Sequence, residues 1–485
     1  MNVNKPVIFG IVFASFSVII SLPEPAYAHG FGERYDLPIP LEIYFLGAGI
    51  SISATFIFLL LFLQKGFSLR NPHLDVSSWF FVRNLHNKIF MLLAKTTSVF
   101  LFFTIVIAGF VGDPDPVQNI APTFIWIIFW VGAIFFIGFV GDVWKLINPW
   151  LIIHEVIDSI SRKYASKEIT RNAQYPSGLS SWPAVGIFFI FAWIENVWIN
   201  ASDPFSLSVI ITIYTLFTLT GMFFFNPKIW LKNCEPLSMI LGFFARLAFC
   251  ELRWCNSKPQ VFLKFFGTGL IEKAPPTFSQ GIFIILVLST VSFDGFSETG
   301  LWAKFFARSY DSFAWLGTYA YSGIRTIGLI CAPFVLGSVF FLAIGLSKKA
   351  SRNNTKMTTL IAEFSVSLLP IAFAYHVAHY FSYLLIQGQR IIALASDPFG
   401  WGWDVFGTAD YKPDITIIDA KFAWILGLFA IIIGHVIATY AAHIIASKKS
   451  ESQLDILRTQ SPILILMIGY TIVSLWILAQ PIVSH

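Results

Sequence analysis

Long apolar runs separated by short polar loops dominate this chain. Ten of them stand at 41–63, 89–112, 123–147, 182–201, 206–225, 281–299, 326–346, 358–387, 422–446 and 462–483. Each approaches or exceeds the ~20 residues that a helix needs to cross the hydrocarbon core of a bilayer. The pattern predicts an all-α fold, a polytopic bundle of about ten transmembrane helices. Loop charges test the count independently. Lys65, Arg70, Arg83 and Lys88 follow the first run, Arg162, Lys163, Lys167 and Arg171 the third, and Lys228, Lys232, Arg246, Arg253, Lys258, Lys264 and Lys273 the fifth. Lys348, Lys349, Arg352 and Lys356 follow the seventh, and Lys448, Lys449 and Arg458 the ninth, whereas the alternate loops carry Asp113 and Asp115, Asp203, or the run 397–419. Positive-inside bias then predicts basic loops in the cytoplasm and both mature termini on the periplasmic or extracellular side. The expected location is a bacterial cytoplasmic membrane.

Composition agrees, with 56% hydrophobic and 12% charged residues among 485, where a soluble domain carries about 25% charge. The net charge of +5 does not point to nucleic acid, because the basic residues are spread over short loops between spans. At the N-terminus, Lys5 precedes an apolar stretch and then Ala26-Tyr27-Ala28. This reads as a signal peptide over 1–28 with cleavage before His29, a retained signal anchor being the alternative. The rest, 29–485, reads as a single transmembrane domain, since no loop is long enough for a separate domain of ~100 residues. The longest loop, 226–280, contains LSMILGFFARLAFCELRW, which predicts an interfacial helical segment near 227–258. The loop DPFGWGWDVFGTADYKPD is rich in turn residues and aromatics, and predicts either a folded cap over an outer vestibule or an aromatic belt. Walker and Rossmann patterns, G-x-S-x-G and an internal repeat are all absent from the sequence.

Ionisable residues inside the spans carry the candidate chemistry, because such groups are costly in hydrocarbon and face a bundle interior or an aqueous cavity. His376 and His379 in FAYHVAHYFSYLLIQGQ are spaced i, i+3 and share a helix face, as two ligands of one metal require. Glu195 in AWIENVW and Asp294 in TVSFDGFSET lie near the outer ends of their spans, at a depth matching the two histidines at ~1.5 Å per residue. His435 in IIIGHVIATY sits deeper, and joins only if its helix kinks or starts late. His29, as a mature N-terminus, would offer a free amine and a ring nitrogen to a metal. The expected metal set is His29, His376, His379 and His435, with Asp294 and Glu195 as catalytic general bases or as carboxylates orienting a ring N–H. Zinc and copper both suit imidazole, so the identity of the ion stays open. Glu363 and Asp142 lie far in depth from this set and are expected to pair with Lys145 or other basic residues.

HGFGERYDLPIPL, GDPDPVQNIAPT, TVSFDGFSET, AYHVAHYFSYLLIQGQ, SDPFGWGWDVFGTADY and GYTIVSLWILAQPIV resemble the fenitrothion hydrolase-like family of membrane proteins over nearly the whole mature chain. The resemblance implies hydrolysis of an organophosphate triester with release of a nitrophenol. The first expectation is therefore a metal-dependent hydrolase of lipophilic esters, using Zn or Cu at an outer-leaflet His/carboxylate site. A copper-binding or copper-handling protein without turnover, and a proton-coupled transporter, are the alternatives. Expected partners are the lipid bilayer and a small lipophilic substrate or metal ion.

Overall fold

The computed structural model describes residues 35–63, 73–255, 258–351, 354–450 and 452–482. The signal-peptide region 1–28 and His29 lie outside the described residues. Among those described, nine helices are long and apolar enough to span a bilayer, and the chain is an integral, all-α membrane bundle. The spans are α1 (Leu41–Phe62), α2 (Lys88–Val111), α3 (Ile120–Phe139), α5 (Pro204–Phe224), α6 (Phe278–Ser297), α7 (Ala320–Ala350), α8 (Met357–Gln387), α9 (Ala420–Lys449) and α10 (Gln453–Ile482). The predicted fourth span is α4, Trp182–Asn196, of 15 residues. At ~1.5 Å per residue it reaches about 22 Å, less than the ~30 Å hydrocarbon thickness. It stops where Glu195 and Asn196 meet their partners inside the bundle. The third span also ends early, at Phe139, before a turn at Gly141 (φ 151°).

Burial sets the centre of the bundle. The α8 window is 78% buried and that of α2 only 6%, so α8 is the axial helix and α2 faces lipid. α9 packs between α8 and α10. Small residues permit the approach: a Cβ at Gly434 would sit 2.4 Å from Ala374 Cβ, and one at Gly427 would sit 3.4 Å from Ala378 Cβ. These contacts also fix the level of α9 against α8, because 434 lies beside 374 and 427 beside 378. Close backbone packing through small side chains replaces the hydrophobic drive that lipid removes.

Residues 227–258 depart from the expected interfacial helix. They form two short helices, Pro227–Asn233 and Pro236–Phe244, and then enter a sheet. The second is not surface-lying: Leu237, Met239, Ile240, Leu241, Phe243 and Phe244 are all buried, and Glu235 caps it through Leu237 N and Ser238 N at 2.8 and 2.7 Å. β1 (Leu74–Asp75), β2 (Cys250–Cys255) and β3 (Lys258–Leu263) form an antiparallel sheet in the order β1-β3-β2. Helix gives way to strand here because the apolar run ends in CELRWC, where polar and apolar residues alternate and the pattern changes to period 2. This sheet lies at the basic-loop end of the bundle.

At the opposite end the Gly- and Trp-rich loop is folded. Asp397 accepts from the backbone N–H groups of Trp401, Gly402 and Trp403 at 3.0, 2.6 and 3.1 Å, an Asx-type arrangement that turns through Gly400 and Gly402 at positive φ. The loop is pinned to the α2–α3 connection by Asp113 N–H to Phe399 O (2.7 Å) and Ile120 N–H to Pro398 O (3.2 Å).

Candidate functional site

Three helices deliver the site. The final section of α8, Leu369–Gln387, follows a short 3₁₀ step at Val366–Leu368 and carries Tyr375, His376, His379 and Tyr380. α6 contributes Asp294 one turn from its end, and α4 contributes Glu195 and Asn196 at its end. A fourth element, the π-wound part of α3 at Thr123–Gly132, supplies Trp130. Wide π turns of this kind recur at functional sites.

His379 and Tyr380 converge on one oxygen. Asp294 Oδ2 accepts from His379 Nε2 at 3.0 Å and from the Tyr380 hydroxyl at 2.5 Å. The side chains of His379 and Asp294 are 14% and 21% exposed, so the pair is largely withdrawn from solvent and its attraction is little screened. Glu195 is held separately: Trp130 Nε1–H donates to Oε1 at 2.5 Å, and Asn196 Nδ2 approaches Oε2 at 3.5 Å. Above them Arg325 of α7 donates to Asn196 O at 2.7 Å and to Ser297 Oγ at 3.1 Å, fastening the ends of α4 and α6 together.

Between the two groups is a cavity of about 20 Å³, lined on its polar side by Trp130, Glu195, Asn196, Thr290, His376 and Tyr380. That is room for a single water. His376 is 3% exposed. Its ring N–H is taken by the Val131 backbone, while Nε2 has no partner. Asn196 Oδ1 is likewise buried without a partner. Buried polar atoms are rarely left unpaired. Two bare acceptors and a carboxylate around one small cavity are the surroundings expected of a water or a cation.

Of the six residues expected from the sequence, Asp294 and His379 are in direct contact, and Glu195 and His376 line one cavity beside them. His435 is placed elsewhere. Its neighbour Gly434 packs on Pro370 and Ala374, on the basic-loop side of His376, and its Nδ1–H is spent on Ile431 O at 2.8 Å. Its helix runs unbroken from Ala420 to Lys449 and does not start late, one of the two conditions under which it would have joined. His29 lies outside the described residues. Among the described residues, the three-membered set of metal-ligating types whose atoms all fall within 4.8 Å is a different one, His73, Glu251 and Glu272 beside the sheet. The outer cluster therefore holds His376 and Glu195 on one side and His379 with Asp294 on the other, rather than one compact set of three. Asp142 pairs with Lys145 at 2.8 Å and Glu363 with Lys449 at 2.7 Å, far from the site as expected.

Trp130, Asn196, Tyr380 and Arg325 escaped the sequence reading. Arg325 had a signal, a cation at the start of the apolar run 326–346. Tyr380 follows His379 directly and shares the i, i+4 face of His376. Trp130 had none, as one of 16 tryptophans in a run of apolar residues. Compared with protein-family models, with curated proteins and with solved structures, the chain matches none.

Proposed function

We propose that this protein is a metal-dependent hydrolase of lipophilic, organophosphate-type esters, with its reaction centre in the outer leaflet of a bacterial cytoplasmic membrane. The observation that carries the reading is a water-sized cavity lined by Glu195, His376 and Tyr380 at the acidic-loop end of the bundle, with the Asp294–His379 pair joined to it through the Tyr380 hydroxyl. The basic loops at the other end would face the cytoplasm by the positive-inside rule, with both mature termini outside.

The donor set fits a metal in part. A neutral imidazole with its N–H fixed by a backbone group and its other nitrogen bare is the state of a metal-ligating histidine, and Glu195 offers a carboxylate in the same cavity. His376 and Glu195 are the residues that would hold such an ion, which supplies Lewis acidity and a water with a pKa near 7. The remaining chemistry belongs to the side chains. Glu195 accepts the proton of a water in the cavity, and Asn196 Oδ1 orients that water. Asp294 keeps His379 and Tyr380 turned toward one carboxylate oxygen, so that their positions are fixed before an ester arrives. The cavity accommodates the attacking water and not a triester, so turnover requires the ends of α4 and α6 to part where Arg325 joins them. The same small volume favours a second reading, a metal-handling protein without turnover.

Nitrophenol release from membranes at matched abundance tests the first reading. Asp294→Asn and Glu195→Gln are each expected to lower turnover at least ~10-fold, the scale of lost acid–base or orienting support. Glu363→Gln, whose pair with Lys449 lies at the other end, is expected to keep most activity. Equal rates in all three, or no turnover by the parent protein, overturn the hydrolase and leave metal handling.

A further inference from the structure

A second buried polar file lies along the α9–α10 seam, on the basic-loop side of the site. At its upper end the Tyr470 hydroxyl is hydrogen-bonded to Ser292 Oγ of α6, and the Tyr470 ring stands 6.1 Å from that of His435. His435, Thr439 and His443 then repeat at i, i+4, i+8 on one face of α9, each 1% exposed. Thr439 Oγ1 donates to His435 O at 2.8 Å. Gln460 of α10 bridges the next step, with Nε2 at 3.4 Å from Thr439 O and Oε1 at 3.0 Å from His443 Nδ1. Farther along α9 past His443, Lys449 pairs with Glu363 of α8, their side chains 22% and 19% exposed.

Inter-helix hydrogen bonding alone does not account for this file. Glue between membrane helices works by pairing its polar atoms, yet His435 Nε2 and His443 Nε2 are buried without partners. Each such atom is costly to bury unless water reaches it. An unpaired buried nitrogen is a place that a bound water completes. Chains of intramembrane ionisable groups with that property are proton relays.

We propose that the seam from Ser292 and Tyr470 through His435, Thr439, Gln460 and His443 to Glu363 is a proton path, connecting the interior beneath the Asp294 site with the solvent at the basic-loop end. Protons are the only species moved. Each imidazole takes up a proton at its free Nε2 and releases it from the same nitrogen, its Nδ1–H staying on Ile431 O or Gln460 Oε1; hydroxyls and waters pass one on as they receive one, and Glu363 exchanges with solvent. No bond other than O–H or N–H changes, and no oxidant or co-reactant is needed. The titratable and charged groups facing the path are Tyr470 on α10, His435, His443 and Lys449 on α9, and Glu363 on α8.

Purified protein in liposomes with an internal pH-sensitive dye, driven by a potassium diffusion potential, reads the path with no ester present. The expected result is proton entry well above that of protein-free vesicles, reduced at least tenfold in His435→Phe and in Gln460→Leu, and unchanged in His154→Ala, whose histidine lies outside the seam. Flux no greater than in empty vesicles overturns the proposal without recourse to any variant, as does equal flux in parent and both seam variants. The path is independent of the hydrolase reading. Nitrophenol release measured in detergent, without a gradient, reports on the hydrolase alone.

Discussion

Two clusters in this molecule contain the same residue types and differ in what their lone pairs are doing. Beside the sheet, His73, Glu251 and Glu272 stand close enough for one cation, but their atoms are in use. Arg253 Nη2 donates to His73 Nδ1 at 3.2 Å and to Glu251 Oε2 at 2.9 Å, and His73 Nε2 meets Glu272 Oε1 at 3.3 Å. A guanidinium never accepts, so His73 Nδ1 is the acceptor and Nε2–H the donor, and the cluster is a closed network. A metal entering it would have to displace a fixed positive charge. In the outer cluster the ligating types are less compactly grouped, yet His376 Nε2 is bare and shares a cavity with Glu195. Proximity of ligand types identifies the first cluster, and availability of lone pairs identifies the second. Availability is the better guide, because a ligand atom already hydrogen-bonded must give up that bond before it can coordinate.

The sharpest way to break this comparison is to measure bound metal directly. Elemental analysis of the purified protein is expected to find an ion whose stoichiometry falls by more than half in His376→Ala and is unchanged in His73→Ala. The reverse outcome would make the sheet cluster the metal site. A smaller effect belongs to Arg253. Replacing it with Ala removes a partly exposed ion pair, of a kind worth about 0.5–1 kcal/mol, so amide hydrogen exchange in β2 and β3 is expected to quicken about two- to fivefold. An unchanged exchange rate would mean that Arg253 does not hold the sheet cluster closed.

The bundle was legible in the sequence because each span satisfies the same length and polarity requirement, and because basic and acidic loops alternate. The shortness of α4 was not, since the apolar run continues past Asn196 through Val197 and Trp198 while the helix stops at its bonds to Arg325 and Trp130. The expected interfacial helical segment near 227–258 differs from the two short helices and sheet for a related reason. Residues 237–249 look amphipathic, and nothing local says that Pro236–Phe244 is buried in the bundle and that the chain then turns into a sheet. At the site, the charged members stood out because charge is rare in a span. The aromatic members did not, because 52 Phe, 16 Trp and 15 Tyr make one functional Trp130 or Tyr380 indistinguishable from its neighbours. The depth of His435 was legible from its position in the ninth run, whereas its service in a different polar file needed the register of α9 against α10.

The smallest expected effect concerns charge at the basic-loop end, where Lys273 stands among Lys264, Lys145 and Arg246 beside the sheet cluster. Burial lowers Lys273 from its ordinary 10.5 to about 8, helped by the nearby charges of Lys264, Lys145 and Arg246 and opposed by Glu251. Burial likewise brings Arg246 down to about 10. For Lys273 the sign follows from linkage: between about pH 8 and 10.5 the unfolded chain holds a proton that the folded one has released, so the contribution to stability rises with pH across that window. Below about pH 8 both states are protonated, and the full cost of the buried charge is present. Lys273→Met removes the titration. Melting curves at pH 7.5, 9 and 10 in one detergent are therefore expected to show the parent protein gaining on the variant as pH rises, with most of the gain above pH 8. A constant difference between the two would show that Lys273 titrates at its ordinary value and that the basic end is as well neutralised as the His73 network beside it.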